Sequence, residues 1–341
     1  MIILSFYIIL IFSLNLVVKK YKLILSNTGL EHQSFVNNSI PLTGGIFSLL
    51  PALYLFLPNY NLFCYIFILL FILGLLSDLN ILISPKKRFF LQLLLVIFFT
   101  TVYKFEVTPT KIIFFDNIIQ NNYWGYIFTA FCLMILINGS NFIDGLNGLL
   151  IGYISLIILF LIKLDLFSSL NFFDNKYIYF IIIFLFILFL NFFNQLFLGD
   201  SGAYSLSFLI GFVLIEIYNL NQNISPYFII LLLWYPCFEN LFSILRKIFY
   251  KKNNPLKPDT EHLHQKLFIY CKKKFDLTDL KSNIFSSLIL LIFNAFIFYS
   301  ASKEISNTFY QITLIGISVI TYLVVYFVLH KIIMMNNFIK S

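Results

Sequence analysis

The chain has 341 residues, of which 60% are hydrophobic and 11% charged, with a net charge of +8 and a mean hydropathy of +0.91. Soluble domains average about 45–50% apolar and about 25% charged residues, so this composition excludes a water-soluble globular protein and leaves a bilayer as the fitting solvent. The positive balance calls for no nucleic acid, because membrane topology and anionic headgroups account for it.

Taken in chain order, the apolar runs read as about eleven transmembrane helices. They lie near 2–18, 46–57, 62–76, 89–102, 124–137, 149–161, 177–193, 204–218, 227–245, 284–300 and 309–329. Lys19 and Lys20 follow the first run rather than precede it, so it is expected to be a retained helix and not a signal peptide. In alternate loops, only Lys104, Lys111, Lys163, Lys176 and Lys303 fall on one side; the other Lys and Arg residues fall on the opposite side. The positive-inside rule then puts the N-terminus outside and the C-terminus in the cytoplasm. The expected fold is all-α, a polytopic integral membrane protein forming one domain over 1–341. A cytoplasmic loop, 246–283, should join the ninth and tenth spans. Cys64, Cys132, Cys237 and Cys271 form no CxxC pattern, so neither a zinc site nor a disulfide framework is indicated.

Five polar motifs punctuate the cytoplasmic side. Pro41-Leu42-Thr43-Gly44-Gly45 opens the second run; its glycine pair permits close approach of the backbone to a ligand or to a neighbouring helix, or simply makes a turn. Ser77-Asp78-Leu79-Asn80 closes the third run, followed by Lys86, Lys87, Arg88 and Gln92. A carboxylate at the interface avoids the roughly 2.5–3.5 kcal/mol or more charged at the bilayer centre. It reads as a base or cation partner with Lys86 and Arg88 placed for phosphate, or as an interfacial acid beside positive-inside residues.

Residues 138–149 hold three Gly and three Asn between two apolar runs. Irregular backbone at that depth is tolerated where it lines a cavity or is buried in protein, and Asp144 lies between Asn141 and Asn147. Asp200, in Gly199-Asp200-Ser201-Gly202, stands at a helix start, where it serves as an N-cap or marks an anion or hard-cation site. In the fifth motif, 254–265, His262 and His264 lie two apart, which on a helix points them about 200° from each other. Extended backbone would bring both rings to one ligand. Asp78, Asp144 and Asp200 supply oxygen donors suited to Mg²⁺ or Mn²⁺; with Lys/Arg and helix N-termini they describe a diphosphate site.

In this order, from about Pro41 to Gln265, the motifs resemble those of the polyprenyl-phosphate N-acetylhexosamine-1-phosphate transferases. The resemblance implies transfer of a sugar 1-phosphate from a UDP-sugar to polyprenyl phosphate, with release of UMP, initiating cell-surface glycans such as lipopolysaccharide or cell wall. It implies Mg²⁺ on Asp200, Asp144 in the second acidic motif with Asn141 and Asn147 lining the site, and His262 and His264 meeting the nucleotide-sugar phosphates. Asp78 would activate or orient the acceptor phosphate that Lys86 and Arg88 hold. The implied partners are polyprenyl phosphate and a UDP-N-acetylhexosamine, UDP-GlcNAc or a relative, with a homodimer admitted. The implied place is the bacterial plasma (inner) membrane, with the site facing the cytoplasm.

Three departures stand out. Ser77 occupies the place of the first Asp of the usual pair, the spacing from there to Gln92 is one residue longer than the family pattern, and Gln265 stands where many members have a further histidine. Rival readings are a catalytically inactive homologue, a transporter with polar groups near mid-membrane, and an aromatic prenyltransferase, which would need Asp-x-x-x-Asp clusters.

Overall fold

The computed structural model describes residues 2–25, 40–107, 109–119, 123–170, 177–251 and 261–335. The part of the histidine motif at 252–260 lies outside the described residues. The described chain forms fourteen α-helices: α1 (Ile2–Lys20), α2 (Gly44–Phe56), α3 (Asn61–Asp78), α4 (Pro85–Val102), α5 (Ile113–Ile119), α6 (Trp124–Ile143) and α7 (Leu149–Lys163), then α8 (Tyr177–Phe192), α9 (Gly199–Leu220), α10 (Pro226–Leu232), α11 (Trp234–Arg246), α12 (Leu263–Lys274), α13 (Asp279–Ala301) and α14 (Thr308–Met335). Away from its ends, a helix closes its backbone hydrogen bonds within its own segment, the condition an apolar solvent imposes.

All eleven apolar runs are helical, and among the described residues five helices, α3, α6, α9, α13 and α14, are long and apolar enough to cross a membrane. The ninth run is not one continuous span as its sequence suggests. It breaks at Leu233 into α10 and α11, which bend by 74°. Pro236 gives the reason: three positions into α11, its ring crowds the carbonyl of Leu232, where α10 ends. α2, α7 and α8, with 13, 15 and 16 residues, are short for a hydrocarbon core of about 30 Å at about 1.5 Å per residue. The expected loop 246–283 is also largely helical: a π-helical turn covers Lys247–Lys251, and α12 packs against α13 and α14.

α9 forms the axis, buried along nearly its whole length and flanked by α2, α3 and α6. The hydroxyl of Ser205 donates to the carbonyl of Ser201 at 2.6 Å, which satisfies that polar group inside the bundle. Phe63 stacks on Phe212 at 4.2 Å and on Phe208 at 5.4 Å, joining α3 to α9 through offset rings. Toward the start of α9 the contacts become backbone to backbone. A Cβ on Gly74 would run into the main chain of Ser201, and one on Gly45 would come within 2.5 Å of the Gly202 nitrogen. Small residues at such crossings let membrane helices approach closely.

The segment before α2 is laced to the segment before α9: Phe197 N–H donates to the Pro41 carbonyl at 2.8 Å, and Gly44 N–H to that of Phe197 at 2.9 Å. Asn15 of α1 ties both, accepting from the Thr43 hydroxyl at 2.8 Å and donating to the Gln195 carbonyl at 2.9 Å. Gly74→Ala should therefore wedge α3 from α9 and cost about 1–3 kcal/mol. Gly316→Ala, where nothing lies within 4 Å, should be near neutral. Thermal unfolding of both variants in detergent measures the contrast.

Candidate active site

α9 begins with Gly199 at φ +72°, and a Cβ there would meet the Asp78 carboxylate at 2.6 Å. Only glycine fits both demands. Asp78, the last residue of α3, accepts the Asp200 N–H at 2.8 Å on one oxygen and the Ser201 N–H at 3.1 Å on the other. A carboxylate set against two unpaired amides of a helix N-terminus is favoured by both hydrogen bonding and the helix dipole. Asp200 is thereby the second residue of α9 and not its N-cap; the cap comes from another helix.

The Asp200 side chain collects donors from four directions. Arg88 of α4 forms an ion pair with Oδ2 at 2.6 Å, Ser77 Oγ donates to it at 2.6 Å, and the Tyr204 hydroxyl donates at 3.2 Å. On Oδ1 the Asn141 amide donates at 2.6 Å. Arg88 also donates to Ser77, so the serine passes a hydrogen bond from the guanidinium to the carboxylate.

Asp144, half-buried at the end of α6, makes no side-chain hydrogen bond among the described residues. Burial, with the carboxylates of Asp200 and Asp78 nearby, pushes its carboxyl well above the usual carboxylate range. Asn147 turns elsewhere: it donates to Asn194, while its backbone N–H reaches Asn283 at 2.7 Å. Lys86 stays exposed. Gly44 and Gly45 lie against the backbone ahead of and within α9, which is the neighbouring-helix alternative of the three their sequence allows.

The two histidines meet across the start of α12. His262 is its N-cap in extended conformation, and its ring lies 5.5 Å from that of His264 at 13°. His262 also lies 4.9 Å from the Phe142 ring and 2.9 Å from the Glu239 carboxylate. Glu239 and Tyr204 belong to this end of the bundle and are absent from the sequence-derived set. Glu239 is the one acid within the ninth apolar run, and an intramembrane carboxylate is itself a signal of function.

The donor chemistry around Asp200 fits a hard cation. Asp200 and the neighbouring Asp144 offer carboxylate oxygens, and Asp200 Oδ1 accepts one bond where a carboxylate oxygen has room for about two. Gln92 Oε1, one helical turn from Arg88, is buried with no partner among the described residues, as expected beside a ligand. Among the described residues no three His, Cys, Asp or Glu side chains form a metal cage. Such a site suits Mg²⁺, which uses one or two carboxylates and completes its shell with water and substrate phosphate. Elsewhere, an apolar cavity of about 380 Å³ lies between α6, α9, α10 and α11, lined in part by Leu133, Leu136, Gly211, Ile229 and Leu233.

Residues 60–218 match glycosyl transferase family 4, a stretch that takes in Asp78, Arg88, Asn141, Asp144, Asp200 and Tyr204. The chain is 30% identical over 230 residues to an undecaprenyl-phosphate alpha-N-acetylglucosaminyl 1-phosphate transferase of Thermotoga maritima, covering 66% of this chain and 67% of that relative. Asp78→Ala would strip two amides at the start of α9 of their charged acceptor and should cost about 2–3 kcal/mol. Asp78→Asn, which keeps one acceptor oxygen, should cost less. Melting temperatures of the two variants in detergent test this, and equal values to wild type would mean the start of α9 is held by other contacts.

Proposed function

The chain belongs to glycosyl transferase family 4, and from that membership we propose that it moves a sugar 1-phosphate, an N-acetylhexosamine 1-phosphate, from a UDP-sugar to a polyprenyl phosphate with release of UMP. The observation that carries this reading is the Asp200 cluster. Helices α3, α4, α6 and α9 bring Ser77, Arg88, Asn141, Asp200 and Tyr204 to one point, with the uncommitted Asp144 carboxylate beside it.

The acceptor phosphate needs no strong base. A phosphate monoester has a second pKa near 6, so at neutral pH it is already largely a dianion. Its oxygen attacks the sugar-linked phosphorus in line; a new O–P bond forms and the bond to the bridging oxygen breaks, leaving UMP with the electron pair. Ser77 therefore does not disable the site by replacing a carboxylate. It orients Asp200 and Arg88, and Arg88 is the cation nearest to where a phosphate would sit. Mg²⁺ on Asp200, or Mn²⁺ in its place, would neutralise charge on the diphosphate when bound. Asn141 fixes the Asp200 carboxylate from α6, and the apolar cavity has the chemistry an isoprenoid chain requires. The histidine motif favours UDP-GlcNAc or a close relative as donor.

Membranes carrying the protein, supplied with polyprenyl phosphate, Mg²⁺ and a panel of labelled UDP-sugars, should form a lipid-linked sugar diphosphate and UMP. Transfer from none of the sugars would sink the proposal. Asp200→Asn keeps the shape but removes the charge, and should lower transfer by roughly 10²-fold or more while the protein still inserts. The proposed cytoplasmic orientation follows the Lys/Arg distribution. A topology reporter fused after Lys252 should read cytoplasmic and one after Lys176 external; the reverse pattern would turn the site outward.

A further inference from the structure

The donors on Asp200 are unevenly shared between its two oxygens. Oδ1 accepts one hydrogen bond, from the Asn141 amide at 2.6 Å. Oδ2 faces three donors: Ser77 Oγ at 2.6 Å, Arg88 Nη1 at 2.6 Å and the Tyr204 hydroxyl at 3.2 Å. A carboxylate oxygen has room for about two, so Oδ2 carries one donor too many. The Tyr204 bond is the longest of the three, outside the tight pair that Ser77 and Arg88 make.

Access and donor chemistry decide which of the three can leave. The side chains of Arg88 and Asp200 are each 24% exposed, so both stand where a ligand can reach them. Arg88 uses one nitrogen, Nη1, for both Ser77 and Asp200, and a guanidinium carries five N–H donors in a fork suited to phosphate. Tyr204 is the opposite case. It lies one turn beyond Asp200 on the same face of α9 and is buried. Its hydroxyl makes one hydrogen bond among the described residues, the one to Oδ2. A buried hydroxyl stays with the acceptor it has.

We propose that Tyr204 is a positioning residue for the loaded site: when Arg88 turns to a substrate phosphate, Ser77 and Tyr204 remain as the two donors that seat Oδ2, and Asp200 keeps Oδ1 directed at the cation. This rests on the transferase reading above, which supplies the phosphate. In the empty protein Arg88 and Ser77 suffice and Tyr204 is redundant; with a diphosphate bound it is not. Ser77 belongs to the same arrangement, since a carboxylate in its place would accept and would leave Oδ2 with Tyr204 alone.

The test measures Mn²⁺ binding by electron paramagnetic resonance, without and with UDP and corrected for Mn²⁺ on free nucleotide. Wild type, Tyr204→Phe, Arg88→Gln and the Tyr204→Phe/Arg88→Gln pair are compared in lipid nanodiscs, with melting temperatures and transfer kinetics alongside. Tyr204→Phe should leave the melting temperature and the binding of Mn²⁺ alone close to wild type. With UDP present it should weaken Mn²⁺ binding by about tenfold or more, the range for losing a hydrogen bond to a ligating carboxylate, and kcat should fall with it. Without UDP, adding Tyr204→Phe to Arg88→Gln should cost about tenfold where the same change in wild type costs almost nothing, because each donor covers for the other. Ser77→Ala removes the other remaining donor and carries the test if Tyr204→Phe does not fold; its loss should likewise be confined to the UDP-bound state.

Equal weakening of Mn²⁺ binding with and without UDP, Mn²⁺ binding equal to wild type in both states, or simple additivity in the pair would each overturn the proposal and leave Tyr204 a packing residue. A wild type that binds Mn²⁺ with UDP but transfers nothing would sink the transferase reading and leave the Tyr204 comparison decisive. One that transfers sugar phosphate yet takes up no Mn²⁺ overturns the proposal alone. A wild type that does neither overturns both.

Discussion

The carboxylate of Asp78 against the first amides of α9 is the contact on which the rest of this end of the bundle depends. α9 is the axis that α2, α3 and α6 pack around, and its N-terminus lies at the crowded end where Gly45 and Gly74 admit its backbone. Four N–H groups at a helix start have no partner within the helix; in an apolar bundle each one left bare costs about 1–3 kcal/mol. α9 brings no capping side chain of its own, because its N-cap position is Leu198. Asp78 takes over the task from α3, and Gly199 leaves the space for it. The arrangement also turns the Asp200 side chain outward from the helix axis, toward α4 and α6.

Around Asp200 the decisive quantity is charge balance. Three carboxylates share a small region with one guanidinium in contact, and like charges held close raise the cost of ionising each of them. A second acid at position 77 would add to that repulsion and would accept, not donate, toward Asp200. Serine does the opposite. It donates to Oδ2 and accepts from Arg88, which links Asp200 to the arginine by a second route. The substitution that looks like a loss in the sequence is therefore matched to its neighbours, and the charge that the usual pair would supply is what a bound cation or the substrate must otherwise balance.

Much of this was legible in the chain. Apolar runs of sufficient length can only be helices in lipid, so the eleven runs gave helices with near-correct limits. The acidic motifs fell together because each ends or begins a helix at the same end of the bundle. Three things were not legible. The break at Leu233 needed Pro236 to be weighed against the apolarity around it. Asn147 looked like a ligand from composition, yet its partners, Asn194 and Asn283, come from parts of the chain that no local pattern links. The role of Asp78 in holding α9 depended on which backbone groups lie opposite its two oxygens, and a side chain's identity does not reveal that.

The last element of the geometry is the angle between successive helix residues. Neighbours on an α-helix point about 100° apart, so Asn141 and Phe142 cannot serve the same partner. One reaches Asp200 on α9 and the other the His262 ring at the start of α12. A single rigid helix end thus fixes the spacing between the carboxylate cluster and the histidine pair, with no flexible segment between them. α6 stops just past these two residues. Asp144 is its C-cap, and Gly148, at φ +75°, starts α7 in a new direction under a hydrogen bond from its N–H to Asn191. The irregular stretch between them turns the chain from α6 into α7 and leaves Asp144 at the end of α6 near Asp200.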